Sequence, residues 1–170
     1  MFHPTSRTLG APVEIFAFSE LQYNGCWNLF HCKTGSEICE QLDDLTPVLA
    51  AVSQAQVLVL GSPVYFTDIT GQLKLVIDRF FSFFVPDYPN ADQKSRLPGG
   101  RHIVLLQTQG ESADKHANLL GDFSAIFNGL GFTEHHHLQV AGVRNLGGIK
   151  PNSRALQYCA ALASKLYGGE

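Results

Sequence analysis

The chain has 170 residues, 45% hydrophobic and 16% charged, with 12 Lys and Arg against 15 Asp and Glu and a formal net charge of -3. That composition excludes a disordered or fibrous chain, and the length lets one domain bury roughly 70% of its unfolded surface without disulfides or metals. A pI near 6.1 with no run of Lys and Arg argues against nucleic acid and anionic membranes as partners, and no stretch reaches the roughly eighteen apolar residues of a membrane span.

Taken in chain order, Met1 to Gly10 lacks the apolar core of a secretory signal and reads as an arm before a single domain, 1–170, of a cytoplasmic protein. Val13 to Phe18 is a first, short strand candidate. Cys26, Cys32, Cys39 and Cys159 contain no Cys-x-x-Cys pair and read as free thiols. Leu42 to Gln54 has helical periodicity and is opened by Asp43 and Asp44. Val57 to Leu60 is an unbroken apolar run ending in Gly61, Ser62 and Pro63, the pattern of a strand covered on both faces in a parallel sheet. A second helix is expected over Gly71 to Phe84, and Phe80, Phe81, Phe83 and Phe84 cover more than one side of it. Asp78-Arg79 within it reads as an ion pair or cap.

Pro86 to Gly100, rich in Pro, Asp, Asn and Gly, is a long irregular connection of the kind that covers a site or an interface. Ile103 to Leu106 repeats the buried-strand pattern and ends in the polar turn 107–112. A third helix spans Asp114 to Leu130, with Gly129 and Gly131 marking its end, and a strand follows over His136 to Val140. The run His135-His136-His137 alternates faces on a strand, so it reads as surface histidines at the strand start and not as a metal centre. Asn152 to Tyr167, closed by Gly168-Gly169, is the last helix. Four strands alternating with four helices predict a doubly wound α/β fold with a parallel sheet in a three-layer α/β/α sandwich.

In such a sheet, ligands bind beyond the carboxyl ends of the strands. Two loops stand there. The first runs from Gly61 to Lys74; Pro63 stiffens it, Tyr65 and Phe66 offer apolar faces, and free amides can donate to ring carbonyls and nitrogens, which suits a flat aromatic ligand. The second runs from Thr108 to Ser112 beside it. The low charge and 12 Phe leave apolar surface for a second copy, so a homodimer or larger homo-oligomer is expected.

The stretch Val57-Leu58-Val59-Leu60-Gly61-Ser62-Pro63-Val64-Tyr65-Phe66, followed by Gly71-Gln72-Leu73-Lys74-Leu75-Val76-Ile77-Asp78-Arg79, resembles the flavodoxin-like NADPH-dependent FMN reductase family. Multimeric flavodoxins and iron-sulfur flavoproteins are kin of that family. The resemblance extends to Gly25-Cys26 with Asp43-Asp44 and to Thr108-Gln109-Gly110. It implies a flavodoxin-like fold and an FMN ring site formed by Ser62, Pro63, Val64, Tyr65 and Phe66, flanked by Thr108, Gln109 and Gly110. It also implies NAD(P)H as co-substrate, with hydride passing through flavin to a quinone-like, azo or nitro aromatic, or flavin acceptor. No side chain is expected to act as acid or base, so no catalytic residue is assigned.

The chain departs from the family's pattern at its start, where the first strand, the phosphate-binding loop and the first helix have no counterpart. Thr5-Ser6-Arg7-Thr8 is the candidate replacement for the phosphate loop. Iron-sulfur flavoproteins place four closely spaced thiolates where this chain has three, so no cluster is expected. Two other readings stand beside the oxidoreductase: a cofactor-free assembly protein on a degenerate flavodoxin-like scaffold, and a one-electron flavodoxin carrier, which the mild net charge does not favour.

Overall fold

A computed structural model describes residues 10, 12–145, 147–150 and 153–167. Thr5-Ser6-Arg7-Thr8 lies outside the described residues. The named elements are three strands, β1 (Val57–Pro63), β2 (Arg101–Thr108) and β3 (Phe132–Val140), and five helices, α1 (His31–Thr34), α2 (Leu45–Gln54), α3 (Gly71–Arg79), α4 (Leu119–Gly129) and α5 (Arg154–Tyr167). The strands form one parallel sheet in the order β1-β2-β3, with Leu58 beside Ile103 and Val104 beside His136. Among the described residues nothing pairs with the outer edge of β1.

Apolar residues on both faces of β1 and β2 explain the layering, because a strand that buries both faces needs a helix layer on each. Leu58, Leu60, Ile103, Leu105 and Phe132 pack on Val48 and Val52 of α2, Leu73, Val76 and Ile77 of α3, and Leu120 and Phe127 of α4. On the opposite face, Val57, Val59, Val104, Leu106 and Leu138 meet Cys159, Leu162 and Ala163 of α5. The result is the expected three-layer α/β arrangement of flavodoxin-like type. No helix among the described residues is long and apolar enough to cross a membrane.

Four expectations change. Val13 to Phe18 forms no strand; Phe16, Phe18, Leu21 and Tyr23 pack against the helical core, and a 3-10 turn occupies Phe18–Glu20. Burial of an apolar side chain every second residue thus serves packing on helices and not a ladder. The second helix ends at Arg79 and tightens into a 3-10 turn, Phe80–Phe83. The third begins at Leu119, because the side chains of Gln107 on β2 and Gln109 just beyond it hold the carbonyls of Ser112, Lys115 and His116 out of helical bonding. The connection 86–100 packs at the amino end of β2, far along the strands from the candidate site. There Ser95 Oγ donates to Leu130 O at 3.1 Å, and Gly131, at φ +94, leaves no room for a Cβ against Pro98 O.

Arg79 organises the segment before α2. It is buried to 1% exposure and donates from Nε to Cys39 Sγ (3.2 Å), from Nη1 to Asn24 O (3.1 Å) and Asp43 Oδ2 (2.8 Å), and from Nη2 to Gln41 O (2.7 Å). Its partner is therefore Asp43, while Asp78 pairs with Lys74 one turn earlier at 2.6 Å. A planar fork with five donors can bind four acceptors at once; an ammonium cannot.

Candidate functional site

The carboxyl ends of the strands lie side by side: Ser62 neighbours Gln107, Pro63 neighbours Thr108, and Thr108 neighbours Val140. The pairing continues one step, as Val64 N–H donates to Thr108 O at 2.8 Å. Beyond it the chain reverses in a two-residue hairpin turn, with Tyr65 N–H donating to Asp68 O (2.9 Å) and Asp68 N–H to Tyr65 O (3.2 Å).

The turn residues are Phe66 at φ 47 and Thr67 at φ 75, the left-handed geometry such turns need and that side chains with a Cβ resist. Phe66 is 102% exposed and Tyr65 63% exposed. Two exposed aromatics on a strained turn at the ligand-binding end of a parallel sheet are a functional signal, since strain of this kind persists only where surrounding structure enforces it. The amides of Phe66 and Thr67 have no hydrogen-bond partner among the described residues.

The rest of the first loop enforces the turn. Ser62, buried, accepts from Thr70 N–H at 3.0 Å and donates to Pro63 O at 2.8 Å. Asp68 Oδ1 accepts from Ile69 N–H (2.6 Å), and Ile69 is core. Thr70 caps α3 through Leu73 N–H. Of the five predicted positions here, Ser62 is thus a latch, Pro63 and Val64 are half-buried shoulders, and Tyr65 and Phe66 form the presented surface.

The second loop differs from its sequence reading. Gln109 is 3% exposed, and its side chain turns inward, donating to Ser112 O (2.7 Å) and Lys115 O (3.0 Å) and accepting from Gln107 and Gln139. It shapes the loop and does not face a ligand. Thr108 is half-buried, with its hydroxyl unengaged among the described residues. At Gly110 a Cβ would stand 3.4 Å from Arg144 Cγ, ordinary contact, which places the Arg144 side chain over this loop.

Three features escaped the sequence reading. Gln107, Gln109, Gln139 and His137 form one buried network, in which His137 Nε2 lies 2.7 Å from Gln107 Oε1. Burial pushes the His137 pKa down, so its ring is neutral and donates from Nε2 to that oxygen. The available signal was glutamine recurring on one face at the polar ends of two buried strands. Arg144, exposed over Gly110, has no ion-pair or hydrogen-bond partner among the described residues; only folding brings it there. A cavity of about 270 Å³ also opens beneath the loops, lined by Gly61, Ser62, Pro63, Leu106, Thr108, Leu138 and Ile149 among others.

The three consecutive histidines are half-buried and separately engaged, not surface groups. His135 Nε2 lies 2.7 Å from Phe132 O, while His136 Nε2 lies 3.2 Å from His102 Nδ1 with the two rings stacked. Among the described residues no three His, Cys, Asp or Glu side chains converge in metal-binding geometry.

Comparison with known proteins places this geometry in context. The family model described as NADPH-dependent FMN reductase matches residues 4–141. An iron-sulfur flavoprotein of Methanocaldococcus jannaschii is 33% identical over 70 residues, 41% of this chain and 36% of that protein. The chain thus matches about a third of the length of the curated relatives. Among solved structures, the NAD(P)H:quinone oxidoreductase of Methanothermobacter marburgensis superimposes with a TM-score of 0.62 at 13% identity, covering 98% of this chain and 83% of the other. An FMN-dependent NADH-azoreductase of Bacillus anthracis, solved in complex with FMN, gives 0.52 at 18% identity, covering 73% and 60%. At such identities the structural matches establish the fold alone.

Proposed function

The chain belongs to the NADPH-dependent FMN reductase family, and from that premise we propose that it is an FMN-dependent oxidoreductase, taking hydride from NAD(P)H and passing it to a quinone-like, azo or nitro aromatic, or flavin acceptor. The observation that carries this reading is the left-handed turn presenting Tyr65 and Phe66 at the carboxyl end of the sheet.

The residues present fit an isoalloxazine ring. Tyr65 and Phe66 offer apolar faces, and the unengaged amides of Phe66 and Thr67 are donors for ring carbonyls and nitrogens. Thr108 and Gly110 border the opposite side, on a loop that the buried glutamine network holds rigid. Arg144 supplies a cation for a phosphoryl group. When bound, FMN supplies the hydride-accepting and hydride-donating chemistry. The chain's part is to bind one ring face, fix the ring edges and leave the other face open. No titratable side chain need move a proton, in keeping with a presented surface made of aromatics and backbone amides.

Self-association accompanies this proposal. Ile38, Leu42 and Leu75 are exposed apolar residues, as a homodimer contact requires. The deciding experiment is a visible spectrum of the full chain, as isolated and after added FMN has been removed by gel filtration. Retained flavin bands that are bleached by NAD(P)H support the reading. A protein that stays colourless in excess FMN refutes it and leaves the assembly role in its place.

A further inference from the structure

We propose that Cys26 and Cys32 form a peroxide-oxidised dithiol pair that closes to an intramolecular disulfide beside Trp27. Three observations away from the flavin site converge on this. First, Cys26, Cys32 and Cys39 line a single cavity of about 30 Å³, walled by Trp27, Phe30 and Phe81. Cys39 is held by Arg79 Nε at 3.2 Å, and Cys159 is buried under α5. That leaves Cys26, exposed, and Cys32, half-buried like Cys39 but not tied to the buried guanidinium, as the candidate pair.

Second, Lys33 is a fixed cation against Phe81, which walls the same cavity. Its Nζ donates to Phe81 O (2.6 Å) and Phe84 O (2.7 Å) and sits 4.2 Å from the Phe81 ring centroid. Burial leaves its pKa lowered, with the neighbouring Cys32 opposing that shift. An ammonium tied to two carbonyls cannot move away, so it stays as a fixed positive charge at the wall of that cavity.

Third, the link between the thiols is folded back on itself. Asn28 (φ 59) and Phe30 (φ 57) are both left-handed, and Asn28 N–H donates to Cys26 Sγ at 3.4 Å. Two left-handed residues within a five-residue link reverse the chain, which is why residues 26 and 32 reach one cavity.

The chemistry balances with hydrogen peroxide as the named oxidant. The Cys32 thiolate attacks the peroxide O–O bond; an S–O bond forms, the O–O bond breaks, and the departing hydroxide takes a proton to become water. The Cys26 thiolate then attacks the sulfenic sulfur, the S–S bond forms, and the S–O bond breaks to release a second water. Overall, two thiols lose two electrons and two protons to one peroxide.

The test uses the full reduced chain and one equivalent of hydrogen peroxide. The expected product is about 2 Da lighter, with peptide mapping locating a Cys26–Cys32 bridge. Trp27, the chain's single tryptophan, loses emission as the neighbouring disulfide forms and regains it with dithiothreitol. Cys26→Ser stops at a Cys32 sulfenic acid that a 1,3-dione traps, Cys32→Ser does not react, and Cys159→Ser behaves as the parent. Lys33→Met slows the reaction about tenfold, while Lys33→Arg retains most of the rate and so separates charge from folding. A bridge to Cys39 or Cys159, a bridge between chains, or no mass change with both thiols still alkylable overturns the proposal.

Discussion

Arg79→Met removes one side chain and strands four acceptors, which makes it the sharpest test of how the segment before α2 is held. The Arg79 side chain has no exposed surface and that of Asp43 has 12%, so the vacated Asp43 carboxylate cannot recover its hydration. Breaking a buried pair from one side costs about 3–5 kcal/mol. For a domain of this length each kcal/mol moves the melting temperature by about 2–4 °C, so the expected fall is roughly 6–20 °C. Arg79→Lys keeps the charge but reaches fewer of the four acceptors, and lands between parent and Met. A double-mutant cycle with Asp43→Asn then gives a coupling energy of at least about 1 kcal/mol. Limited proteolysis adds a local readout, with new cleavage in the stretch 24–42. Acid gives a further check. Burial pushes the Asp43 pKa up, but the hydrogen bond from Arg79 and those from the Asn24 and Leu45 amides outweigh it, leaving the pKa lowered. That stabilisation is complete above the unfolded value of about 3.9 and is lost as pH falls through the folded pKa. A Met variant that melts within about 2 °C of the parent and resists protease refutes the reasoning.

The other predictions are read out by binding and stability. Tyr65→Ala and Phe66→Ala each weaken FMN binding about tenfold or more while leaving the melting temperature within about 2 °C, checked by fluorescence titration; unchanged affinity removes the ring site. Thr67→Gly relieves a left-handed β-branched residue and raises stability by about 1 kcal/mol in a urea melt. Burial, followed by the charge of His102, lowers the His136 pKa, and burial lowers that of His137. Folded values below the unfolded one mean stability that is full above about pH 6.5 and lost as pH falls further, so the urea midpoint drops between about pH 7.5 and pH 5.5, and His136→Gln flattens that drop. Arg144→Ala weakens FMN about tenfold more than riboflavin, which lacks the phosphate; an equal effect on both ligands places Arg144 away from the phosphoryl group.

Periodicity reached the elements that fill the core and missed those set by specific polar contacts, for a physical reason in each case. Val57 to Leu60 and Ile103 to Leu106 were legible because a strand buried on both faces has no polar residue to spare, and the structure pairs them in register. Val13 to Phe18 is also mostly apolar, but an apolar stretch records only that side chains are buried. Packing against a helix and pairing with a strand leave the same trace, and here Phe16 and Phe18 pack against the helical core. The start of the third helix was misplaced for the opposite reason. The expected start is Asp114, but His116 sits at φ 54, and Gln109 just past β2 and Gln139 on β3 take the Lys115 carbonyl.

The candidate site shows the same division. Tyr65 and Phe66 stand out in the sequence as two adjacent aromatics after a Gly-Ser-Pro exit, and the structure exposes both. What gives them their exposure, the left-handed pair at Phe66 and Thr67, runs against local propensity and is imposed by Ser62 and Asp68 from either side of the turn. Gln109, by contrast, was chosen for lying in the right loop, and its side chain proves to be spent on that loop's own carbonyls. A residue type near a site carries little information about its role when its hydrogen-bonding groups have local partners to satisfy. Aromatic faces have no such alternative, so where they remain exposed on a rigid, strained turn, a bound surface is the simplest account of what they meet.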